Sequence, residues 1–120
     1  MATGKPKGEQ AARLRQRKFA VLRRYKIPEE VVEALLPGSL SQTRRRCGKP
    51  TCHCAVGDGH PSSYLTFVVG GKKRVERIPD AWVQDVQRRV EAGREFKQAV
   101  AEVLAANAQL LVLERQQTGR

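Results

Sequence analysis

Apolar positions recur with two different periods along this chain, and the switches between them mark its elements. From Glu9 to about Tyr25, Leu14, Phe19 and Leu22 fall roughly on one helical face and the other faces are Arg and Lys. That spacing predicts a basic helix or arm. Pro28 suits the first position of a second, short helix. Glu29 and Glu30 then sit in its first turn, where the helix dipole favours acids. Val31, Val32, Leu35 and Leu36 give it an apolar stripe, and Pro37-Gly38 ends it. The Ile27/Val31/Leu35 face is expected to pack on the C-terminal helix.

The period then shortens. Ser39–Arg46 reads as a short strand with Leu40 and Thr43 facing in. Tyr64–Val69 is rich in β-branched and aromatic residues, and Gly70-Gly71 is a strong hairpin signal before the return strand Lys72–Ile78. The loop reads equally well as two or three residues. Val75 and Ile78 are the expected inward residues of the return strand. A two-stranded ribbon alone is marginal in water, so it needs support from a metal site or a helix.

The helical period returns at Pro79-Asp80 and runs to about Gln117 without a proline. Trp82, Val83, Val86 and Val90 form one stripe. Phe96, Val100, Val103, Leu104, Leu110, Leu111 and Leu113 continue it, with a phase slip near Gly93. A helix of this length spans about 55 Å, too long to be buried by a small module. Either Gly93 breaks it into a helical hairpin, or residues 94–117 form a coiled coil that joins a second copy or another protein. Lys97 and Asn107 fall at or near the seam.

Composition turns this outline towards particular partners. The 120 residues carry 23 Lys+Arg against 12 Asp+Glu, a net +11, and only 5% are aromatic. One domain with extended flanks fits that length, and a small core calls for a staple. The charge is segregated: residues 1–26 carry +8, 27–38 carry −3, 39–78 carry +6, and 79–120 are neutral. Such an excess is an argument about partners, with nucleic acid the commonest polyanion. Met1–Gly8 is Gly/Lys/Pro-rich and reads as a disordered tail. With no apolar leader, and no stretch approaching the ~18 apolar residues of a membrane span, a cytoplasmic protein off the membrane is expected.

All three cysteines and both histidines lie between Cys47 and His60. Three cysteines cannot all pair within one chain, and a reducing compartment favours metal over disulfide. Cys47, Cys52, Cys54 and His60 offer a C-x4-C-x-C-x5-H set, with Gly48, Pro50, Gly57 and Gly59 letting the loop curl around one ion. Three thiolates and an imidazole suit a closed, structural, tetrahedral zinc site. His53, between two cysteines, is the alternative fourth ligand. Arg44, Arg45 and Arg46 precede the first cysteine. With Lys49 in the loop and Lys72, Lys73 and Arg74 at the hairpin tip, they are the candidate nucleic-acid contacts. No catalytic constellation is assembled: Gly70-Gly71-Lys72 is too short for a phosphate-cradling loop.

The segment from about 37 to 100 resembles a family of small prokaryotic and phage proteins found beside transposases and other mobile-element genes. The residues that carry the resemblance are Gly38-Ser39-Leu40, Cys47-Gly48-Lys49, Cys52, Cys54-Ala55, Gly57, His60, Tyr64-Leu65, Gly71-Lys72, Ile78-Pro79 and Phe96. The four ligand positions match the family's pattern. After His60 the family has Gly-Pro-Tyr where this chain has Pro61-Ser62-Ser63, which removes an aromatic from the start of the ribbon. The resemblance implies no reaction.

The expectation is therefore an α+β protein in four parts: a disordered tail (1–8), a basic helical arm with a short helix (9–37), a zinc loop with a β-ribbon (38–79) and a long C-terminal helix (80–117). Its expected role is non-enzymatic binding of nucleic acid, double-stranded DNA foremost, as an accessory or regulatory factor of a mobile element. The alternative is an adaptor with a purely structural zinc, docking on a recombinase or other partner through the C-terminal helix. A thiol redox sensor is a third reading.

Overall fold

The computed structural model describes residues 6–45, 48–51, 57 and 59–119, with Arg45 described by its backbone alone. The predicted tail (up to Lys5), Arg46, Cys47, Cys52, His53 and Cys54 lie outside the described residues.

The chain is α+β. Helix α1 spans Glu9–Tyr25 and ends on Lys26, whose φ of 56° is left-handed. The Lys26 N–H donates to the Arg23 carbonyl (3.3 Å) and the Ile27 N–H to the Leu22 carbonyl (2.9 Å), closing the last turn. Of its apolar stripe only Leu22 is buried; Leu14 is exposed. Helix α2 is a single turn, Glu29–Val32. Its stripe is half-buried at Ile27, Val32, Leu35 and Leu36, but Val31 is exposed.

Three strands follow, β1 (Ser39–Arg45), β2 (His60–Val69) and β3 (Lys72–Ile78), antiparallel in the order β1-β2-β3. The expected ribbon is thus the centre and one edge of a three-stranded sheet. β2 begins four residues before the predicted Tyr64, because Ser63, Ser62, Pro61 and His60 pair with Gln42, Thr43, Arg44 and Arg45. Val69 pairs with Lys72, so the hairpin loop is two residues. Gly70 and Gly71 both have positive φ, 58° and 79°, as a type I′ turn requires.

This register corrects two inward assignments. Side chains alternate along a strand, so residues three apart face opposite ways. Ile78 is buried, and Val75 therefore lies on the other face, 53% exposed. Leu40 packs against the core, and Thr43 is exposed for the same reason.

A 3-10 turn, Asp80–Trp82, leads into helix α3, Val83–Gln117. Trp82 belongs to the turn, outside the buried stripe, and is half exposed. The core is small: Leu65 and Ile78 from the sheet meet Val86 and Val90 of α3, with Leu36, Leu40, Phe67 and Val83 around them. The helix runs unbroken through Gly93, so the hairpin alternative does not hold. Gly93 has a different job. A Cβ there would lie 2.2 Å from the Leu36 carbonyl oxygen, so glycine lets the chain after α2 cross the helix closely. Beyond that crossing α3 leaves the body, and Val103, Leu104, Leu110 and Leu111 are each at least 60% exposed.

Candidate nucleic-acid interface

The predicted basic contacts fall at opposite ends of the sheet. Arg44 is opposite Pro61 and Arg45 opposite His60, whereas Lys72 and Lys73 are opposite Val69 and Val68. Arg44's partner Pro61 and Lys72's partner Val69 are eight positions apart on β2, about 26 Å of strand. The sheet therefore does not gather the two groups into one patch. It sets them at its two ends, with β1 and β3 on opposite edges.

Each cation has its own local setting. Arg44 is exposed and reaches the Gly59 carbonyl (3.4 Å) from its Nη1. Lys49 is exposed beside Gly48, whose φ is 85°. Lys72 and Lys73 are exposed at the hairpin. Arg74 is engaged within the chain: its guanidinium donates to Glu76 (2.8 and 3.2 Å) and lies 5.5 Å from the centre of the Phe67 ring. Arg77, absent from the predicted contacts, is exposed and pairs with Tyr64 across the ladder. Counting back from a two-residue Gly-Gly loop would have found it.

Helix α1 adds a second basic surface. Arg13, Arg17, Lys18, Arg23 and Arg24 are exposed. Arg13 pairs with Glu9 (2.6 Å), and Lys18 approaches Glu29 at 3.9 Å. Lys18 and Arg24 also sit 5.7 and 5.0 Å from the rings of Phe19 and Tyr25. Such exposed pairs contribute little to stability, so the basic face is not explained as a folding device.

Of the predicted zinc ligands, His60 is the one described. It opens β2, half-buried, as the Cα partner of Arg45. The ladder thus closes the connection 46–59, which carries all three cysteines, and holds its two ends side by side. Among the described residues no group of three or more His, Cys, Asp or Glu side chains is placed to hold a metal.

The free half of α3 has its own pattern. Glu95, Glu102, Gln109 and Gln116 recur every seventh residue, and between Ala99 and Leu113 the remaining positions are apolar except Asn107. By length and composition alone the stretch Asp80–Gln117 is long and apolar enough to cross a membrane, although Glu102, Asn107 and Gln109 interrupt its most apolar part. None of that most apolar part is buried.

No curated protein and no solved structure matches this chain. A family described as "Domain of unknown function (DUF6788)" matches residues 11–88, from the first turns of α1 through the whole sheet and into α3. That match takes in well over half of the sequence, and the chain belongs to this family.

Proposed function

We propose that the protein is a non-enzymatic nucleic-acid-binding module of the cytoplasm, an accessory or regulatory factor of a mobile element, stabilised by one structural zinc. The observation that carries the reading is the segregation of charge. Exposed cations cover α1 and both ends of the sheet, while the acids and bases of 79–120 cancel. A polyanion is the natural ligand for such a surface. Cations on edge strands also discourage pairing with other sheets, but that function does not call for the additional positive charge on α1.

The third strand changes how duplex DNA fits. A major groove about 12 Å wide admits a two-stranded ribbon. Three strands about 4.8 Å apart, with their side chains, exceed it. Duplex contact is therefore assigned to the hairpin tip (Lys72 and Lys73, with Arg74 held back by Glu76), to Arg44–Arg46 with Lys49, and to the basic face of α1.

Zinc is assigned to Cys47, Cys52, Cys54 and His60. The donor set fits a closed site, the core is small enough to need a staple, and the ladder at Arg45 and His60 anchors both ends of the loop. The ion would neutralise the thiolates and fix the loop that carries Lys49.

A second reading is favoured by the exposed apolar side chains of α3. There the protein is an adaptor, joined through residues 94–117 to a recombinase, another partner or a second copy. Electrophoretic retention of duplex and single-stranded probes separates the two. The first reading predicts retention that weakens with salt and falls when Arg44, Arg45 and Arg46 become Ala with folding intact. The second predicts no retention near physiological salt and a stable protein complex through α3.

A further inference from the structure

We propose that the uncovered face of the β-sheet binds single-stranded nucleic acid, with a base stacked on Tyr64 and neighbouring phosphates held by Arg77 and Lys73. The inference rests on the nucleic-acid reading above and adds to it a single-stranded ligand on one face.

Alternation along the strands defines that face. Helix α3 covers the side that carries Ser63, Leu65 and Ile78, which are 3, 8 and 9% exposed. The register then sets Ser41, Tyr64 and Arg77 abreast on the other side, with Thr66–Val75 in the next row and Val68–Lys73 beyond it. Ser41, Val68, Lys73, Val75 and Arg77 are all exposed, so among the described residues no element is packed over this side.

Its chemistry matches a single strand. The sole carboxylate of the three strands, Glu76, is opposite Leu65 and belongs to the helix side. The open face therefore carries cations without acids, which complements phosphate. Val68 and Val75 are 65 and 53% exposed, more apolar surface than a purely solvated face needs. Hydroxyls from Ser41, Ser62 and Thr66 can donate to and accept from base edges and sugars. Tyr64 is half-buried on the central strand, held by ladders on both sides, so its ring rests on a rigid platform. Base-on-aromatic stacking is how sheet surfaces take up unpaired bases. A duplex offers no base face to such a ring.

The test is fluorescence anisotropy of the full chain with labelled mixed-sequence DNA and RNA strands of about 12 nucleotides, within the usual site size, and with the matching duplex. Tyr64→Ala should weaken single-strand binding about tenfold and leave duplex binding unchanged, while Tyr64→Phe binds like the parent. Ser41→Glu, at an exposed edge position, should also weaken single-strand binding without touching the core. If Tyr64→Ala and Ser41→Glu both bind single strands like a parent that does bind nucleic acid, the face assignment is overturned and the broader reading stands. If poly-glutamate competes as well as the oligonucleotide, the surface is a charge patch and the stacking assignment fails. If the parent binds neither probe at low salt, both readings fall.

Discussion

Gly93 and Leu36 are packed backbone to backbone: a Cβ on Gly93 would sit 2.2 Å from the Leu36 carbonyl oxygen and 3.1 Å from its carbon. One turn earlier, the Leu36 N–H donates to the Arg89 carbonyl (3.1 Å), and Arg89 Nε donates to the Ala34 carbonyl (2.7 Å). These contacts dock the segment after α2 onto α3. Gly→Ala inside a helix ordinarily stabilises by about 1 kcal/mol. Here the sign should reverse, with Gly93→Ala destabilising by roughly 1–3 kcal/mol through overpacking. Urea unfolding of the two proteins reads the difference; a stabilised Gly93→Ala would mean that Leu36 does not approach this closely.

The same glycine shows where sequence reading reaches its limit. A glycine within a long helical pattern signals a break or a close contact alike, and only the crossing chain decides between them. The hairpin was legible because Gly70-Gly71 must adopt positive φ, and the two helical periods located α1 and α3. The inward assignments of Val75 and Thr43 ignored strand alternation, which the known positions of Ile78 and Leu40 settle. β1 pairs with β2 across a connection of more than a dozen residues, so its pairing with His60–Thr66 could not be read from local pattern. Arg77 beside Tyr64 was legible once the loop length was known. The cysteine cluster was visible as composition and spacing, but its three thiols lie outside the described residues.

Lys26 occupies a left-handed position, φ 56°, that glycine fills without steric cost. Lys26→Gly should raise stability by about 0.5–1 kcal/mol, the strain relieved less the extra freedom of the unfolded chain. Thermal unfolding checks it. A loss of stability would show that the lysine side chain has a role that its backbone conformation does not suggest.

The free half of α3 is expected to pair with a second copy. The polar row of Glu95, Glu102, Gln109 and Gln116 keeps a seven-residue period, as a supercoiled helix does. Leu104→Glu with Leu111→Glu, both exposed in the single chain, should convert a dimer to a monomer by light scattering while circular dichroism of the sheet domain persists. A parent that is monomeric at all accessible concentrations, or that partitions into lipid vesicles, would contradict this.

Metal content is a separate matter. Elemental analysis of protein purified without added metal should give about one zinc per chain. Cys52→Ser should lose it and lower the melting temperature, since metal binding at such sites is coupled to folding. A metal-free parent as stable as the loaded one would remove zinc from the account.

Nucleic-acid affinity as a function of salt tests the central claim most directly. With several phosphate contacts, affinity of the full chain for nucleic acid, duplex or single strand, should fall about 100-fold or more between roughly 50 and 200 mM monovalent salt, on a straight log–log line. Absence of binding at the low-salt end, or an affinity that does not change with salt, would contradict it.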